Sequence, residues 1–391
     1  MNNNIENHRN IYILTARMHD GGTATITYNY YKMFKNNGVD VKIVTLEKLP
    51  VSAKFNNVEQ DLISLDLFDL SKGVMSFRML KSMVFNIPYI ISFLKKCNGS
   101  VIFIHFLPIL LGVIFWPFRK KNNKYIFTVH TDVFSYKKKV SAVKRVIFTF
   151  FERALQLCDC LVFITPDVTN KYRKMYPKSS KAITIPNVFY GENILSSASY
   201  DTRDPTRFIL YSGRLSSEKN IDFIVDSYVE YRRMGGGRKL VIAGDGPEYM
   251  SLKIKAQGTP YARDIDFLGH VDDVIDLYKR AAYLVLASQY EGFGLVILEA
   301  IDHFLPVLSS NCESGPYYIL SRTSPSLFNL KIENGLGVLL PTPNDASCLD
   351  YANEMLHLDK KVISMNERAD CLSFFSESEI YPMWEKAIRG E

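Results

Sequence analysis

The chain has 391 residues, 47% hydrophobic and 23% charged, which is ordinary globular composition and length enough for two domains with separate cores. No low-complexity tract or short-period repeat occurs, which excludes fibrous and compositionally disordered classes. Charge divides unevenly: up to position 190, 27 Lys and Arg stand against 12 Asp and Glu, a net of +15, whereas beyond it 20 stand against 29, a net of −9.

The six cysteines are scattered, and Cys158 and Cys160 form a CxC with no second pair or histidine at metal-ligand spacing. Reduced thiols in a cytosolic protein are expected. The start, MNNNIENHRN, is polar and lacks the apolar core of a signal peptide.

In chain order, residues 11–14 read as an apolar strand. "TARMHDGGTATITYNYYKMFKNNG" follows as loop, glycine pair and helix ending near Gly38, and 39–46 as the next strand. This βαβ pattern recurs with strands at 101–105, 125–129, 161–164 and 182–185. The run VIFIHFLPILLGVIFWPF, 101–118, has the length of a membrane span, but His105, Pro108, Gly112 and Pro117 interrupt it. A buried strand followed by a core or interfacial helix is expected. Residues 187–207 lack periodicity and read as a linker. The rhythm then restarts with strands at 208–211, 239–243, 265–268, 283–287 and 306–309. Helices follow Asn220 and Pro247, span 271–282, and begin near Gly294. The expected class is α/β: two Rossmann-like domains, 1–190 and 191–370, facing across a cleft. A final segment, 371–391, forms a helix crossing back onto the first domain. Ligands of such doubly wound sheets sit beyond the carboxyl ends of the strands.

Three motifs carry chemistry. In "YSGRLSSEKNIDFIV", Arg214 and Lys219 follow a strand end. One offers a planar fork and the other a mobile point charge, a pair suited to a diphosphate. Pairing of these cations with Glu218 or Asp222 is the structural alternative. "VIAGDGPEY" begins like a dinucleotide fingerprint but has Tyr249 at the third glycine position, so a strand-to-helix turn suffices to explain it. In "YEGFGLVILEA", Glu291 lies in a glycine-bracketed turn and Glu299 projects from an otherwise apolar helix, where an unpaired charge is costly and a polar partner is expected. The amides of Phe293, Gly294 and Leu295 at the helix start can cradle an anion or hydroxyls. A structural salt bridge for Glu299 and a solvated Glu291 remain the alternative on this segment alone.

Taken together and in order, "GG" at Gly21 and Gly22, "FTVHTD" at 127–132, "IPN" at 185–187, "SGRLSSEKN", "IAGDGP", "FLGHV" at 267–271 and the Glu-x7-Glu pair resemble glycosyltransferase family 4, which has the GT-B fold. The resemblance covers nearly the whole chain. It implies that Arg214 and Lys219 bind the donor diphosphate, Glu299 the ribose hydroxyls and Glu291 the donor sugar. Val271 would flank the base, and Gly22 belongs to the donor site through the matched glycine pair. His130 matches the position that touches the transferred sugar near its reacting face, a satisfied core histidine being the alternative; His105 is read as a core residue. Two features depart from the family. Phe304 stands where a small residue or glycine is usual, and Glu313 and Ser314 precede Gly315-Pro316 in a loop that often lines the donor sugar.

The implied activity is retaining transfer of a sugar from a UDP- or GDP-linked donor to a polysaccharide, lipopolysaccharide or lipid-linked acceptor. The chemistry is expected to be electrostatic, with Glu291, His130, Arg214 and Lys219 as the acting residues. No protein nucleophile is evident. No Asp-x-Asp metal motif is evident in the segments that carry the chemistry, so neither metal nor cofactor is expected. A sugar-nucleotide epimerase of the same fold and a non-catalytic sugar-nucleotide-binding subunit are the alternatives. The basic and aromatic stretches 115–124 and 136–155 fit a membrane surface or a polyanion, a solvated charged face being the alternative, and no nucleic-acid partner is expected. They suggest a cytoplasmic protein peripheral on the inner face of the plasma membrane, with Phe115, Trp116, Phe148 and Phe151 as insertion candidates, a core role being the equal alternative for Phe148 and Phe151, and Lys137, Lys138 and Lys139 as surface cations.

Overall fold

The computed structural model describes residues 10–19, 21–47, 52–67, 86–130, 142–177, 181–192, 202–323 and 330–391. Lys137, Lys138, Lys139 and linker positions 193–201 lie outside them. The chain forms two compact units, residues 1–190 with 375–391, and 191–374.

In the first unit a seven-stranded sheet runs in the order β3-β2-β1-β4-β5-β6-β7. The strands are β1 (Asn10–Thr15), β2 (Asp40–Thr45), β3 (Leu62–Ser64), β4 (Ser100–Ile104), β5 (Lys124–Val129), β6 (Cys160–Phe163) and β7 (Ala182–Thr184). Their mutual pairings are parallel. Helices α1 (Gly22–Asn36), α2 (Ile87–Lys96), α3 (Phe106–Ile114), α4 (Ala142–Ala154) and α5 (Pro166–Met175) alternate with them. A sheet with helices on both faces needs strands buried on both faces, hence continuous apolar runs such as SVIFI in β4, buried at every position.

The second unit repeats the plan. Its strands are β8 (Phe208–Ser212), β9 (Leu240–Ala243), β10 (Ile265–Gly269), β11 (Ala281–Val285), β12 (Val307–Ser310), β13 (Ile332–Asn334) and β14 (Gly337–Leu340). The order is β10-β9-β8-β11-β12-β14-β13, with β13 antiparallel to β14. Its helices are α6 (Ile221–Arg233), α7 (Tyr249–Gln257), α8 (Ile275–Arg280), α9 (Leu295–Asp302), α10 (Gly315–Ser321), α11 (Cys348–Leu358) and α12 (Met365–Phe374). The boundary drawn at 371 from sequence thus falls inside α12.

The last helix, α13 (Glu377–Arg389), belongs to the first unit. Trp384, fully buried, meets Tyr30 and Phe34 of α1 edge-on, with ring centroids 5.1 and 6.0 Å away. At the helix start the Glu377 carboxylate accepts bonds from the side-chain amides of Asn36 and Asn37, each 2.8 Å, and from the Tyr190 hydroxyl.

Some expectations are corrected. The helix expected over 271–282 is only α8: Asp273 Oδ1 accepts the Ile275 amide at 2.9 Å and starts the helix there, while Ala281 and Ala282 belong to β11. Phe115 and Phe151 are buried in the core of the first unit and cannot insert elsewhere. Trp116 packs edge-on against Tyr125 and Phe127, and Phe148 also packs against that core. The exposed apolar side chains of 101–118 are instead Ile114 and Phe118, 45% and 46% accessible. No helix of the described residues is long and apolar enough to cross a membrane. Phe304 has φ +60°, the left-handed region that glycine tolerates best; full burial and the Arg368 guanidinium 5.1 Å from its ring centre hold it there.

Candidate active site

In each sheet the strand order reverses at its centre, between β1 and β4 and between β8 and β11. Loops leaving the carboxyl ends of those strands diverge and open a crevice. Arg214 and Lys219 leave β8, and Glu291 leaves β11.

The two loops of the second unit are tied together by backbone. The Gln289 amide donates to Glu218 O at 2.8 Å, and Asn220 Nδ2 to Ala287 O at 2.9 Å. On the other side, the Leu215 amide donates to Asp245 O at 2.9 Å. Gly244, at φ +154°, comes so close to the β8 loop that a Cβ would lie 1.8 Å from Gly213 O. Close approach, and no dinucleotide fingerprint, therefore accounts for the glycine of "AGDGP".

Across this switch point Lys219 Nζ meets Glu291 Oε1 at 2.5 Å, and Ser288 Oγ donates to the same oxygen at 2.7 Å. The side chains are 20% and 10% accessible, so the pair is partly withdrawn from solvent. Glu218 and Asp222 are not the partners of Lys219; Glu218 instead accepts the Ser216 hydroxyl at 2.6 Å. Arg214 is exposed, its backbone carbonyl held by the Tyr211 hydroxyl at 3.0 Å. One cation is thus anchored against a carboxylate and the other projects outward.

Gly294, at φ +85°, turns the chain into α9, whose first turn closes with Ile297 N–H to Gly294 O at 2.8 Å. The amides at Leu295 and Val296 open the helix and have no intrahelical carbonyl to bond. Phe293 is buried beside them. The polar partner expected for Glu299 is Tyr278, whose hydroxyl donates to Oε2 at 2.8 Å. Val271 lies half-buried in the loop between β10 and α8.

In the first unit, Gly22 begins α1 and Thr23 Oγ1 lies 3.0 Å from His105 Nε2. His105 and His130, at the ends of β4 and β5, face each other with ring centroids 4.8 Å apart. Thr128 Oγ1 donates to Phe103 O at 3.1 Å, so it accepts from His130 Nε2–H at 3.0 Å. Nδ1 of His130 is then unprotonated and buried, with the Asn187 side chain as its polar neighbour. Sequence reasoning read His105 as a core residue; its desolvated ring lies beside His130 and Thr23 at the end of β4.

Burial pushes His105 down to about 4, and burial together with the His105 charge holds His130 well below the usual histidine range. Both are neutral in the folded protein near pH 7 and must take up protons when it unfolds in acid. The folded values lie below the unfolded ones, so the stabilisation is complete above about pH 6.5 and is lost as pH falls towards 4. Urea denaturation between pH 7 and 5 should show stability falling by up to about 1.4 kcal/mol per pH unit for each histidine, with a shallower slope in His105→Asn.

Among the described residues, Glu333, Glu354 and His357 are close enough to share a cation. Their carboxylates are already paired with Lys331, 2.6 Å from Glu354, and with Lys361, 3.8 Å from Glu333.

Comparison with known proteins decides the family. Residues 20–189 match the model "Glycosyltransferase Family 4", and residues 195–370 match "Glycosyl transferases group 1". The chain belongs to glycosyltransferase family 4. Among family relatives, an uncharacterized glycosyltransferase of Haemophilus influenzae is 28% identical over 164 residues, 41% of this chain and 44% of that protein. The match therefore takes in less than half of that relative's length. The sucrose-phosphate synthase of Thermosynechococcus elongatus superposes with TM-score 0.75 at 17% identity, covering 97% of this chain and 98% of that one. TarM of S. aureus, solved as a point mutant in complex with Fondaparinux, alpha-GlcNAc-glycerol and UDP, gives TM-score 0.72 at 12% identity, covering 97% and 99%. The fold of this family 4 chain is GT-B, two parallel-sheet α/β domains.

The structure joins Lys219 to Glu291; Arg214 lies on the same loop after β8, and Phe293, Gly294 and Leu295 lead from Glu291 into α9, which carries Glu299. Ser288 and Tyr278, which fix the two acids, were not singled out from sequence. Tyr278 sits in "VIDLYKRAA", where its spacing reads only as core.

Proposed function

We propose that the protein is a retaining glycosyltransferase that moves a sugar from a UDP- or GDP-linked donor to a polysaccharide, lipopolysaccharide or lipid-linked saccharide. The observation that carries this reading is the Lys219–Glu291 pair across the β8/β11 switch point, with Glu299 held one helix further on. A diphosphate here meets Lys219, the exposed Arg214 fork and the amides opening α9, all of which bind more strongly as the leaving group gains charge. Glu299 takes the ribose hydroxyls and Glu291 the donor sugar, while Val271 flanks the base. In the first unit, Gly22 is a proposed donor contact and neutral His130 a proposed contact of the transferred sugar. The leaving phosphate takes the proton of the attacking acceptor hydroxyl, so neither a protein nucleophile nor a metal is required.

A thermal-shift panel of nucleotide sugars identifies the donor. Incubation with acceptor then separates transfer from isomerisation of the donor, and the anomeric configuration of the product tests retention. Activity abolished by chelator, or a donor that is only isomerised, would overturn the proposal.

The excess positive charge of residues 1–190 is proposed to face an anionic membrane carrying the acceptor. Each Lys or Arg near such a surface contributes roughly 1 kcal/mol. Replacing Lys137, Lys138 and Lys139 together by alanine should therefore remove up to about 3 kcal/mol of affinity for vesicles rich in anionic lipid, and added salt should act in the same direction. Co-sedimentation measures both. Equal sedimentation of wild type and triple variant, or no binding at low salt, refutes the membrane assignment.

A further inference from the structure

The ribose carboxylate is not positioned by its own helix alone. Glu299 lies on α9, and the group that orients it comes from α8: the Tyr278 ring is buried, 1% accessible, and only its hydroxyl reaches Glu299 Oε2, 2.8 Å away. The ring in turn is held by His303, stacked on it at 5.5 Å between centroids and 22° between planes. His303 Nδ1 bonds back to the carbonyl oxygen of Glu299 itself, 2.9 Å away. Backbone and carboxylate of the same glutamate are therefore both engaged by a single aromatic stack.

We propose that Tyr278 is a positioning residue for nucleotide binding, orienting the Glu299 carboxylate so that it accepts the two ribose hydroxyls at once. The inference rests on the reading of Glu299 as the ribose contact. An ionised carboxylate has about four lone-pair sites, so one phenolic donor fixes its plane and still leaves capacity for two hydroxyls. Removing that donor takes away the bond that directs Oε2 about a terminal torsion that is broad, and bidentate acceptance depends on where the carboxylate plane lies. Burial and the Glu299 charge raise the Tyr278 phenol well above its ordinary range, which keeps it a donor at every pH of interest.

The test uses calorimetric titration of wild type, Tyr278→Phe and Glu299→Gln with UDP and GDP and with their 2′,3′-dideoxy counterparts, alongside thermal midpoints. Wild type should prefer the ribonucleotide. Tyr278→Phe should lose about tenfold in affinity for it, the size of a bond to a charged group, and change little toward the dideoxy form. If Tyr278→Phe keeps the wild-type preference while Glu299→Gln loses it, the ribose reading stands and the positioning role is overturned. A lowered midpoint with the preference intact marks a merely structural hydroxyl and also overturns it. If Glu299→Gln keeps the preference too, the Glu299 assignment itself fails, and the role of Tyr278 with it.

Discussion

Lys219→Ala is expected to lower turnover by roughly 10²-fold or more, and to do so more severely than Arg214→Ala. Arg214 is exposed, so truncating it removes one attractive contact to the diphosphate. Lys219 is engaged with Glu291 at 2.5 Å before any ligand arrives. Removing it deletes a phosphate contact and also leaves the Glu291 carboxylate uncompensated beside the site where two phosphates must bind. The loss should therefore be non-additive with charge removal at position 291. Lys219→Ala/Glu291→Gln should bind free nucleoside diphosphate more tightly than Lys219→Ala alone, while turnover stays low. Single-turnover rates and calorimetry on the three variants measure this. Near-normal turnover in Lys219→Ala removes the lysine from the mechanism, and a double variant that binds no better than the single one removes the repulsion argument.

Much of this site was legible in the sequence because its parts are local. A strand of continuous apolar residues followed by "SGR" or "YEGFG" identifies a loop at a carboxyl strand end, and the type of each side chain states its charge. What joins the loops is not local. Lys219 and Glu291 are 72 positions apart, and only the order β8-β11, with three helices and two strands between them in sequence, makes them neighbours. Tyr278 was invisible for the same reason, since helix periodicity reports that a ring is buried but not what its hydroxyl meets. The short strands β3, β13 and β14 went unseen because three or four residues, two of the three polar in β13, carry no period. The helix start misread at 271 traces to Asp273, whose carboxylate takes the Ile275 amide inside what looks like uninterrupted helix. The partner of His105 was out of reach because a histidine in an apolar run reports burial but not Thr23, 82 positions away.

Glu291→Gln should separate the two acids of the Glu-x7-Glu motif and should be nearly as damaging to turnover, roughly 10²-fold, while sparing nucleotide binding. The amide still accepts from Ser288 Oγ, now 2.7 Å from Oε1, so the turn keeps its shape. What disappears is the negative charge, with two opposite consequences. Lys219 is released from a partly buried partner and becomes fully available to phosphate, so free nucleoside diphosphate should bind at least as tightly as to wild type. The donor sugar, in contrast, loses a carboxylate able to hold its hydroxyls and to oppose the positive charge that develops as the glycosidic bond breaks, and transfer from the intact donor should slow. Glu299→Gln should show the reverse emphasis: weaker nucleoside diphosphate binding, because the carboxylate that accepts from Tyr278 is the one proposed to meet the ribose. Calorimetry with free nucleoside diphosphate, paired with single-turnover rates on the nucleotide sugar, reads both sides. Equal loss of nucleotide affinity in the two variants contradicts the division of roles, and tighter nucleotide binding in Glu291→Gln identifies the Lys219–Glu291 pair as a contact that the diphosphate must displace.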